Sequence, residues 1–354
     1  MHHSPGSEPV QIDILDQKGG SEWDRLVVSY PDYTFFHCAA WAQVICKTYG
    51  HTPIYFRFSP PSAGFPILVP LIEVSSPLTG RRAVCLPFSD TCGPLVFSQN
   101  GSSFLKESLS RLARQRNWNY FEIRGGEPLE QSAQPAMVFY GHRLDLRKGT
   151  ETLWEAFRAS TAQAVRQALR NKLNVEILDT SQAVREFYQL HVRTRRRHGL
   201  PPQPAKFFVN ICQTIIKPGL GFVILVREGV RTIAGAIFFR FHKHAVYKFA
   251  ASDPEFARKR GNNLVLWEAI KFLSRRGAEF LDMGRTSLSN EGLRRFKLSW
   301  GAQEQMLPYY RFDTGTAAWT QRREHAIGLH NCLFRHLPLA LNRMAGALLY
   351  PHLD

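Results

Sequence analysis

Residues 221–252 read GFVILVREGVRTIAGAIFFRFHKHAVYKFAAS, which is three runs of β-branched and aromatic residues. Turn-forming residues separate the runs, at Glu228-Gly229 and at the polar His242-Lys243-His244. Such runs predict β-strands, and short polar turns between them predict antiparallel hairpins. The segment is therefore predicted to be a three-stranded meander at the centre of the second half of the chain.

The sequence on either side of this meander has helical periodicity. Residues 262–277, NNLVLWEAIKFLSRRG, predict a helix that Asn262 or Asn263 caps and that Gly277 ends, and EFLDMG then predicts a closing strand. Before the meander, residues 151–172 and 181–199 predict two amphipathic helices. Hairpins followed by a helical crossover and a further strand indicate an α/β (α+β) fold rather than a continuous βαβ series.

The first half repeats this order of elements. Two helical patterns, at 21–30 and 38–50, precede three β-type runs, PIYFRF, GFPILVPLIEV and AVCLPF. A helix near 103–115 and a strand, NYFEIRG, follow. The repeated order predicts two related domains, 1–145 and 146–312, each a mixed and largely antiparallel sheet flanked by helices. An amphipathic helical tail, 313–354, is predicted to follow them.

The composition narrows the classes of function. The chain has 354 residues, 45 Lys+Arg against 29 Asp+Glu, a net charge of +16 and 44% hydrophobic residues. A chain of this hydrophobicity forms a core, so it is not a disordered basic tail, and its charge favours an anionic partner. Neither a secretory signal nor a run long enough to span a bilayer is recognisable, and the six cysteines are scattered. These features predict a cytoplasmic protein with reduced thiols.

One candidate site is the basic loop ASDPEFARKRGNN at residues 251–263. A loop of this kind presents backbone N–H groups and positive charge at a helix N-terminus, where phosphate groups are stabilised. The predicted donor phosphate-binding residues are Arg258, Arg260, Gly261 and Asn263. The alternative is a solvated basic loop that only precedes a helix.

Two further segments carry candidate residues. GRTSLSNEGLRRFKLSWG, residues 284–301, follows a strand end and supplies Arg285 and Lys297 for oxyanion or phosphate binding. Arg193, Arg197 and His198 lie in a cationic cluster at a helix C-terminus, where cations also stabilise the helix dipole. Both segments have an ordinary structural alternative as charged helix ends. The complete set of predicted substrate-binding residues is Arg193, Arg197, His198, Tyr247 and Trp300.

These motifs together resemble the FemAB-like branch of the GNAT superfamily, the peptidoglycan-bridge aminoacyltransferases and their acyltransferase relatives. The resemblance covers roughly residues 30–310 and is densest from about 150 onward. The residues that carry it are Thr194-x-x-Arg197-x-Gly199-x-Pro201, Pro204, Phe207-Phe208, Asn263, Trp267, Asp282-x-Gly284-Arg285-x-Ser287 and Phe296-Lys297-x-x-Trp300-Gly301. The chain lacks a long charged insertion for a helical arm, so it most resembles the subgroup associated with exopolysaccharide and PEP-CTERM protein-sorting systems.

The resemblance implies tandem GNAT-like domains with an acceptor cleft between them. It implies direct attack by an amine (or hydroxyl) of a cell-envelope or exopolysaccharide precursor on an activated acyl or aminoacyl donor. By position, Lys297 is the counterpart of the family's catalytic lysine and would stabilise the oxyanion. Arg197 would lie at the acceptor wall and Arg285 near the reacting groups. No permanently bound cofactor is implied, and the donor substrate is aminoacyl-tRNA or acyl-coenzyme A.

Other functions remain open or are excluded by the motifs. A coenzyme A-dependent GNAT N-acyltransferase is one alternative, although Asn263 replaces the Gly or Ala usual in the pyrophosphate loop. A basic RNA- or lipid-binding module with a decayed transferase site is another. Motifs for a metal site, a hydrolase nucleophile, a Rossmann cofactor, a P-loop or DNA reading are not found. The tail either packs across the second domain or makes peripheral contact with the inner face of the membrane, next to a lipid-linked acceptor.

Overall fold

The computed structural model describes residues 11–15, 20–59, 65–97, 102–321 and 329–354. Strands in these ranges are β1 (Gln11–Leu15), β2 (Thr52–Ser59), β3 (Ile67–Ser76), β4 (Gly80–Val84), β5 (Tyr120–Arg124), β6 (Met137–Asp145), β7 (Asn174–Leu178), β8 (Gly221–Glu228), β9 (Arg231–Phe241), β10 (His244–Ser252), β11 (Phe280–Ser287), β12 (Gln303–Asp313) and β13 (Ala318–Thr320). Helices are α1 (Gly20–Val27), α2 (Ala39–Tyr49), α3 (Ser102–Gln115), α4 (Thr150–Ala156), α5 (Ala159–Arg170), α6 (Ser181–Arg197), α7 (Ala205–Ile211), α8 (Gly261–Arg275), α9 (Glu291–Leu298), α10 (Leu329–His336) and α11 (Leu339–Leu349).

The strands form one mixed sheet that runs through both halves of the chain. Its order is β1-β2-β3-β4-β5-β12-β6-β11-β10-β9-β8-β7, with β13 on β12. The halves interleave at the centre, because β12 lies between β5 and β6 while β6 pairs with β11. Strand β6 ends at Asp145, the last residue before the predicted domain boundary. This strand of the first half therefore pairs with β11 and β12, which both follow the boundary in the sequence.

The predicted repeat of elements is present. The series β2-β3-β4-α3-β5 in the first half corresponds to β8-β9-β10-α8-β11 in the second. Each series ends in a parallel pair of strands, β4 with β5 and β10 with β11. The expectation of a mixed, largely antiparallel sheet flanked by helices is therefore confirmed.

Helices cover the two faces of the sheet, and alternating side chains of the strands supply the two cores. In β8, for example, Val223 and Leu225 face the core that α1, α2, α6 and α7 cover, whereas Phe222 and Ile224 face the core beneath α4, α5 and α8. This alternation is the period-2 geometry of a strand that is buried on both faces. It fixes which helices lie on which face of the sheet.

Three local expectations were wrong. The periodic stretch 151–172 is two helices, α4 and α5, because Phe157 and Arg158 between them are extended. Helix α8 begins at Gly261, with Arg260 as its N-cap in the left-handed conformation, rather than at an asparagine cap. Strand β4 stops at Val84, since the chain then turns sharply through Leu86 and Phe88, both of which have positive φ.

The predicted helical tail packs across both halves. Gly346 of α11 lies so close to the Pro202 carbonyl that a Cβ would clash with it, which explains the absence of a side chain there. Beyond α11, the Tyr350 hydroxyl accepts a hydrogen bond from Arg195 at 2.9 Å. The Asp354 carboxylate pairs with buried Arg82 of β4 at 2.8 Å. The tail thus joins α6 of the second half to the sheet of the first.

The described part of the chain lacks several features that would indicate other functions. It contains no cluster of side chains suited to hold a metal ion. Its helices include none with the length and apolarity needed to cross a membrane. The cysteines are free thiols rather than disulfides, and four of the six are buried.

Candidate functional site

The parallel strands β10 and β11 part near the middle of the sheet and leave a gap. They pair over three positions, from His244 with Phe280 to Val246 with Asp282. Beyond this point β10 has a bulge at Lys248 against β9, and β11 has one at Met283-Gly284 against β6. Bulges bend a strand and redirect its side chains, and they are common beside functional sites. The two bulges therefore open the sheet where the polar residues of the second half converge.

Lys297 fills one side of this gap. It lies in the last turn of α9, a helix that Asn290 caps through its side chain to the Leu293 N–H. The lysine is 3% exposed, and its Nζ donates hydrogen bonds to the carbonyls of Gly284 at 2.6 Å and Arg285 at 3.3 Å. The bulge in β11 exposes these two carbonyls, and they can therefore accept hydrogen bonds from Lys297.

The environment of Lys297 leaves it a charged donor near neutral pH. Burial lowers the pKa of Lys297 from its ordinary value to about 8, with Asp90 opposing this shift and the like charge of Lys248 reinforcing it. An ammonium group has three N–H donors, and the two carbonyls take two of them. The remaining donor is free to stabilise an oxyanion that forms in the gap.

A second lysine, Lys248, lies across the gap in an ion pair with Asp90. The bulge places Lys248 on the same face as Phe249, and its side chain is 8% exposed. Its Nζ donates to the Asp90 carboxylate at 3.1 Å and to the Phe88 carbonyl at 2.6 Å. The ammonium also lies 4.7 Å from the centre of the Phe36 ring, a favourable cation–π distance.

Asp90 is the contribution of the first half to this cluster. Burial by itself raises the pKa of Asp90, but the positive charges of Lys248, Arg285 and Lys297 outweigh it and lower the pKa below its ordinary value. The carboxylate also lies against the β11 bulge, since a Cβ on Gly284 would be 3.6 Å from it. Asp90 is therefore an anion at neutral pH, held between the two lysines.

Arg285 and Tyr309 hold the Asp90 loop in place. Arg285 of β11 donates to the Tyr309 hydroxyl at 3.0 Å, and this hydroxyl donates to the Asp90 carbonyl at 2.6 Å. The guanidinium also lies 4.5 Å from the centre of the Phe139 ring. Strands β6, β11 and β12 thus fix the loop of the first half beside the gap in the second.

The structure places the predicted residues Lys297 and Arg285 next to each other, but the other three members of the cluster were missed from sequence. Lys248 could have been found, because it is a lysine inside an otherwise apolar strand, Val246-Tyr247-Lys248-Phe249. Asp90 and Tyr309 gave no local signal. Their roles depend on the interleaving of β12 with β5 and β6, which the sequence does not display.

The predicted donor loop forms the N-terminus of α8. Arg258 and Arg260 are exposed, and Gln167 and Asn171 of α5 hold the loop through the carbonyls of Arg258 and Lys259. Gly261 packs on β9, where a Cβ would lie 2.8 Å from the Ala234 Cβ. Asn263 is half-buried in the first turn. The N–H group of Asn263 donates to the Arg260 carbonyl at 3.0 Å. The preceding N–H groups of the first helical turn and the two exposed guanidinium groups suit a phosphate.

The cationic cluster on α6 lies next to this loop. Arg197 donates to the carbonyl of Ser252 at 3.1 Å, and Ser252 is the last residue of β10 and the second residue of the loop segment. Arg193 and Arg197 line a cavity of about 410 Å³, together with Arg231. Arg231 is neutralised there by Asp253 and Glu255, at 2.6 and 2.7 Å. His198 follows the end of α6 and is exposed, and it is not among the described residues that line this cavity.

Two predicted substrate-binding residues have a different environment from the one expected. Trp300 is 0% exposed and packs edge-on against Phe157 at 4.8 Å in the core, so the expectation that its ring contacts substrate is corrected. Tyr247 stacks on Phe238 at 5.1 Å and projects to the face opposite Lys248. Burial raises the pKa of its hydroxyl well above the ordinary value. Tyr247 is half-buried beside the parting strands.

Comparisons with known proteins agree with this architecture. Residues 155–301 match a family model described as an acetyltransferase (GNAT) domain. A crystal structure of FemX is similar over 84% of this chain and 96% of its own, with a TM-score of 0.67 and 16% identity. A tandem GNAT protein from the clavulanic acid biosynthesis pathway is similar over 87% of this chain and 99% of its own, with a TM-score of 0.54 and 10% identity.

Saccharomyces cerevisiae N-myristoyltransferase with bound myristoyl-CoA is similar over 90% of this chain and 81% of its own, with a TM-score of 0.51 and 12% identity. A sequence comparison with curated proteins gives no match. At these identities the structural likenesses concern the fold. Residues 155–301 therefore match a GNAT domain model, and the fold over most of the chain is similar to that of a tandem GNAT protein.

Proposed function

We propose that the chain is an acyl or aminoacyl transferase that uses the gap between β10 and β11 as its reaction site. The match to a GNAT domain supports acyl transfer in general. The observation that carries the site assignment is the buried ammonium of Lys297, held at the bulge with one donor free. The acceptor we propose is an amine (or hydroxyl) of an anionic or lipid-linked precursor of the cell envelope or of an exopolysaccharide.

In the proposed reaction the acceptor nitrogen attacks the donor carbonyl directly. A C–N bond forms and the C–S or C–O bond of the donor breaks, while the proton lost by the nitrogen ends on the leaving thiol or hydroxyl. Lys297 donates to the carbonyl oxygen as it becomes an oxyanion, and the rigid cleft positions the reactants. The Asp90–Lys248 pair and Arg285 keep the opposite wall polar and fixed.

We propose residues 146–312 as the transferase domain, with 1–145 completing the acceptor cleft and 313–354 as the tail. The α8 N-terminal loop would hold the donor phosphates through Arg258, Arg260 and Gly261, with Asn263 beside them. This loop supports acyl-coenzyme A as donor. Aminoacyl-tRNA is the second candidate donor, since a net charge of +16 suits a polyanion. A lipid-linked acceptor would bring the enzyme to the inner face of the membrane.

Removing the two exposed arginines of the loop tests the donor assignment. Arg258→Ala/Arg260→Ala is expected to weaken acetyl-coenzyme A binding about 100-fold or more, because each of the two lost charge-assisted hydrogen bonds to phosphate contributes about 1.5–3 kcal/mol. Isothermal titration calorimetry measures the Kd, with charged tRNA titrated in parallel. The matched control, Arg275→Ala, removes an exposed arginine from the other end of α8 and should leave the Kd unchanged. Equal Kd values for all three proteins would contradict the assignment.

The pH dependence of the reaction tests the state of Lys297. Its lowered pKa of about 8 means that the protonated form predominates below pH 8 and is lost as the pH rises through that value. A rate that depends on the ammonium should therefore fall above about pH 8, well below the ordinary lysine value of about 10.4. Transfer rates measured with saturating donor across this range would show the descending limb. A rate that rises steadily to pH 10 would exclude the ammonium as the oxyanion donor.

A further inference from the structure

An open apolar groove lies on the face of the molecule that α6, α7 and α11 form. Its volume is about 640 Å³, and apolar side chains supply most of its wall, including Val184, Val192, Phe208 and Leu339. Helices α6 and α7 cover one face of the sheet, and α5 and α8 cover the other. The groove and the core beneath α5 and α8 are therefore on opposite faces of the sheet. The donor loop and the gap at Lys297 do not contribute to its lining.

Positive charge surrounds the groove. Arg185, Arg193, Lys217 and Arg343 line it, and none of its lining residues is acidic. Within the described part of the chain, none of these four cations forms an ion pair with a carboxylate. Arg343 instead lies 5.7 Å from the centre of the Tyr188 ring. The lining of the groove therefore combines apolar side chains with exposed cations that form no ion pair among the described residues.

Exposed apolar side chains continue the surface beyond the groove. Val209 of α7 is 53% exposed, and on α11 Leu341, Met344 and Leu348 are 45%, 56% and 65% exposed. Spacings of three and four residues place the three α11 side chains on one face of that helix. Exposed apolar side chains on one helix face beside an apolar groove indicate a site of interaction with a membrane, a ligand or another protein.

We propose that this surface binds a bilayer of anionic phospholipid. One acyl chain occupies the groove, lipid phosphates contact Arg185, Arg193, Lys217 and Arg343, and the exposed face of α11 enters the region between headgroups and chains. Charge complementarity selects this occupant, because four unpaired cations around an apolar groove match a phosphate attached to an acyl chain. The inference goes beyond the proposed reaction and does not rest on it. Its surface shares Arg193 with the cavity beside the donor loop, but its other lining residues differ from those of that cavity, and it is tested by binding rather than turnover.

Vesicle co-sedimentation of the full chain tests the proposal. The protein should bind vesicles of mixed phosphatidylglycerol and phosphatidylcholine, and bind vesicles of phosphatidylcholine alone at least about 10-fold more weakly. Val209→Glu/Met344→Glu should weaken binding to the mixed vesicles by about 10-fold or more, because two apolar side chains that would be buried in the bilayer are lost. Arg185→Gln and Arg343→Gln should each weaken it about fivefold, since each cation near an anionic surface contributes modestly.

The matched control is Leu169→Glu, which changes a half-exposed leucine of α5 on the opposite face of the sheet. It should bind vesicles like the unmodified protein. Equal binding of all variants, or equal affinity for the two kinds of vesicle, would overturn the proposal. So would a dimer in sedimentation equilibrium that Val209→Glu/Met344→Glu dissociates, since a second copy would then cover this face. The five substituted side chains are exposed, so the variants should fold, and their circular dichroism spectra check this.

Discussion

Replacing Lys297 with methionine is expected to lower the transfer rate constant by about 10²- to 10³-fold, the typical effect of losing one oxyanion donor. Methionine has a similar length and no charge, so it fills the same space while the free N–H donor disappears. Donor affinity should change little, because the donor loop of α8 does not include this residue. The measurements are release of free thiol from acyl-coenzyme A, or deacylation of charged tRNA, with the donor Kd determined separately.

The matched control for this variant is Lys271→Met, which removes a partly exposed lysine of α8 that pairs with Glu268 at 2.8 Å. It should retain full activity. Lys297 also binds the carbonyls of Gly284 and Arg285, so its loss will reduce stability somewhat, and a thermal melt must show that the variant is folded at the assay temperature. A folded Lys297→Met protein with full activity would refute the proposed role. Disappearance of the descending pH limb near 8, together with the loss of rate, would support it.

Replacing Asp90 with asparagine is expected to destabilise the fold by about 3 kcal/mol, because it leaves the buried ammonium of Lys248 without its counter-ion. The Lys248 side chain is 8% exposed and that of Asp90 17%, so solvent compensates for little of the loss. Burial already lowers the pKa of Lys248, with Asp90 opposing the shift, so removing the carboxylate makes the charged form still less favourable. Urea unfolding at pH 7 measures the change in the free energy of unfolding.

A second substitution separates the charge effect from general damage. Asp90→Asn/Lys248→Met removes both members of the ion pair and should recover most of the stability lost through Lys248, since replacing both members of a buried pair is often nearly neutral. Its transfer rate should remain low if the pair also fixes the acceptor wall. As a surface control, Glu255→Gln breaks an exposed pair with Arg231 and should cost less than about 1 kcal/mol. If the double variant is no more stable than Asp90→Asn, the unpaired ammonium of Lys248 is not the cause of the lost stability.

Much of the second half could be predicted because its signals are local. The meander, its turns at Gly229 and His242, and the helix stop at Gly277 depend on residues that are neighbours in sequence, and the structure has positive φ at all three positions. The start of α8 was misplaced because a left-handed arginine, Arg260, occupies a position where sequence rules prefer an asparagine or serine cap. The sequence nevertheless located this basic segment at the start of α8, since its charge and its glycine lie together in the chain.

The sequence alone determined the fold class, the repeated order of elements, and the segments that carry Arg285 and Lys297, because periodicity, turn residues and charge clusters act over a few residues. Only the tertiary structure decided that Asp90 faces Lys248 and that Trp300 belongs to the core. Asp90 and Lys248 are 158 residues apart, and they meet because β12 inserts between β5 and β6 and joins the two halves in one sheet. Pairing between distant strands depends on the whole packed sheet, and no local pattern records it.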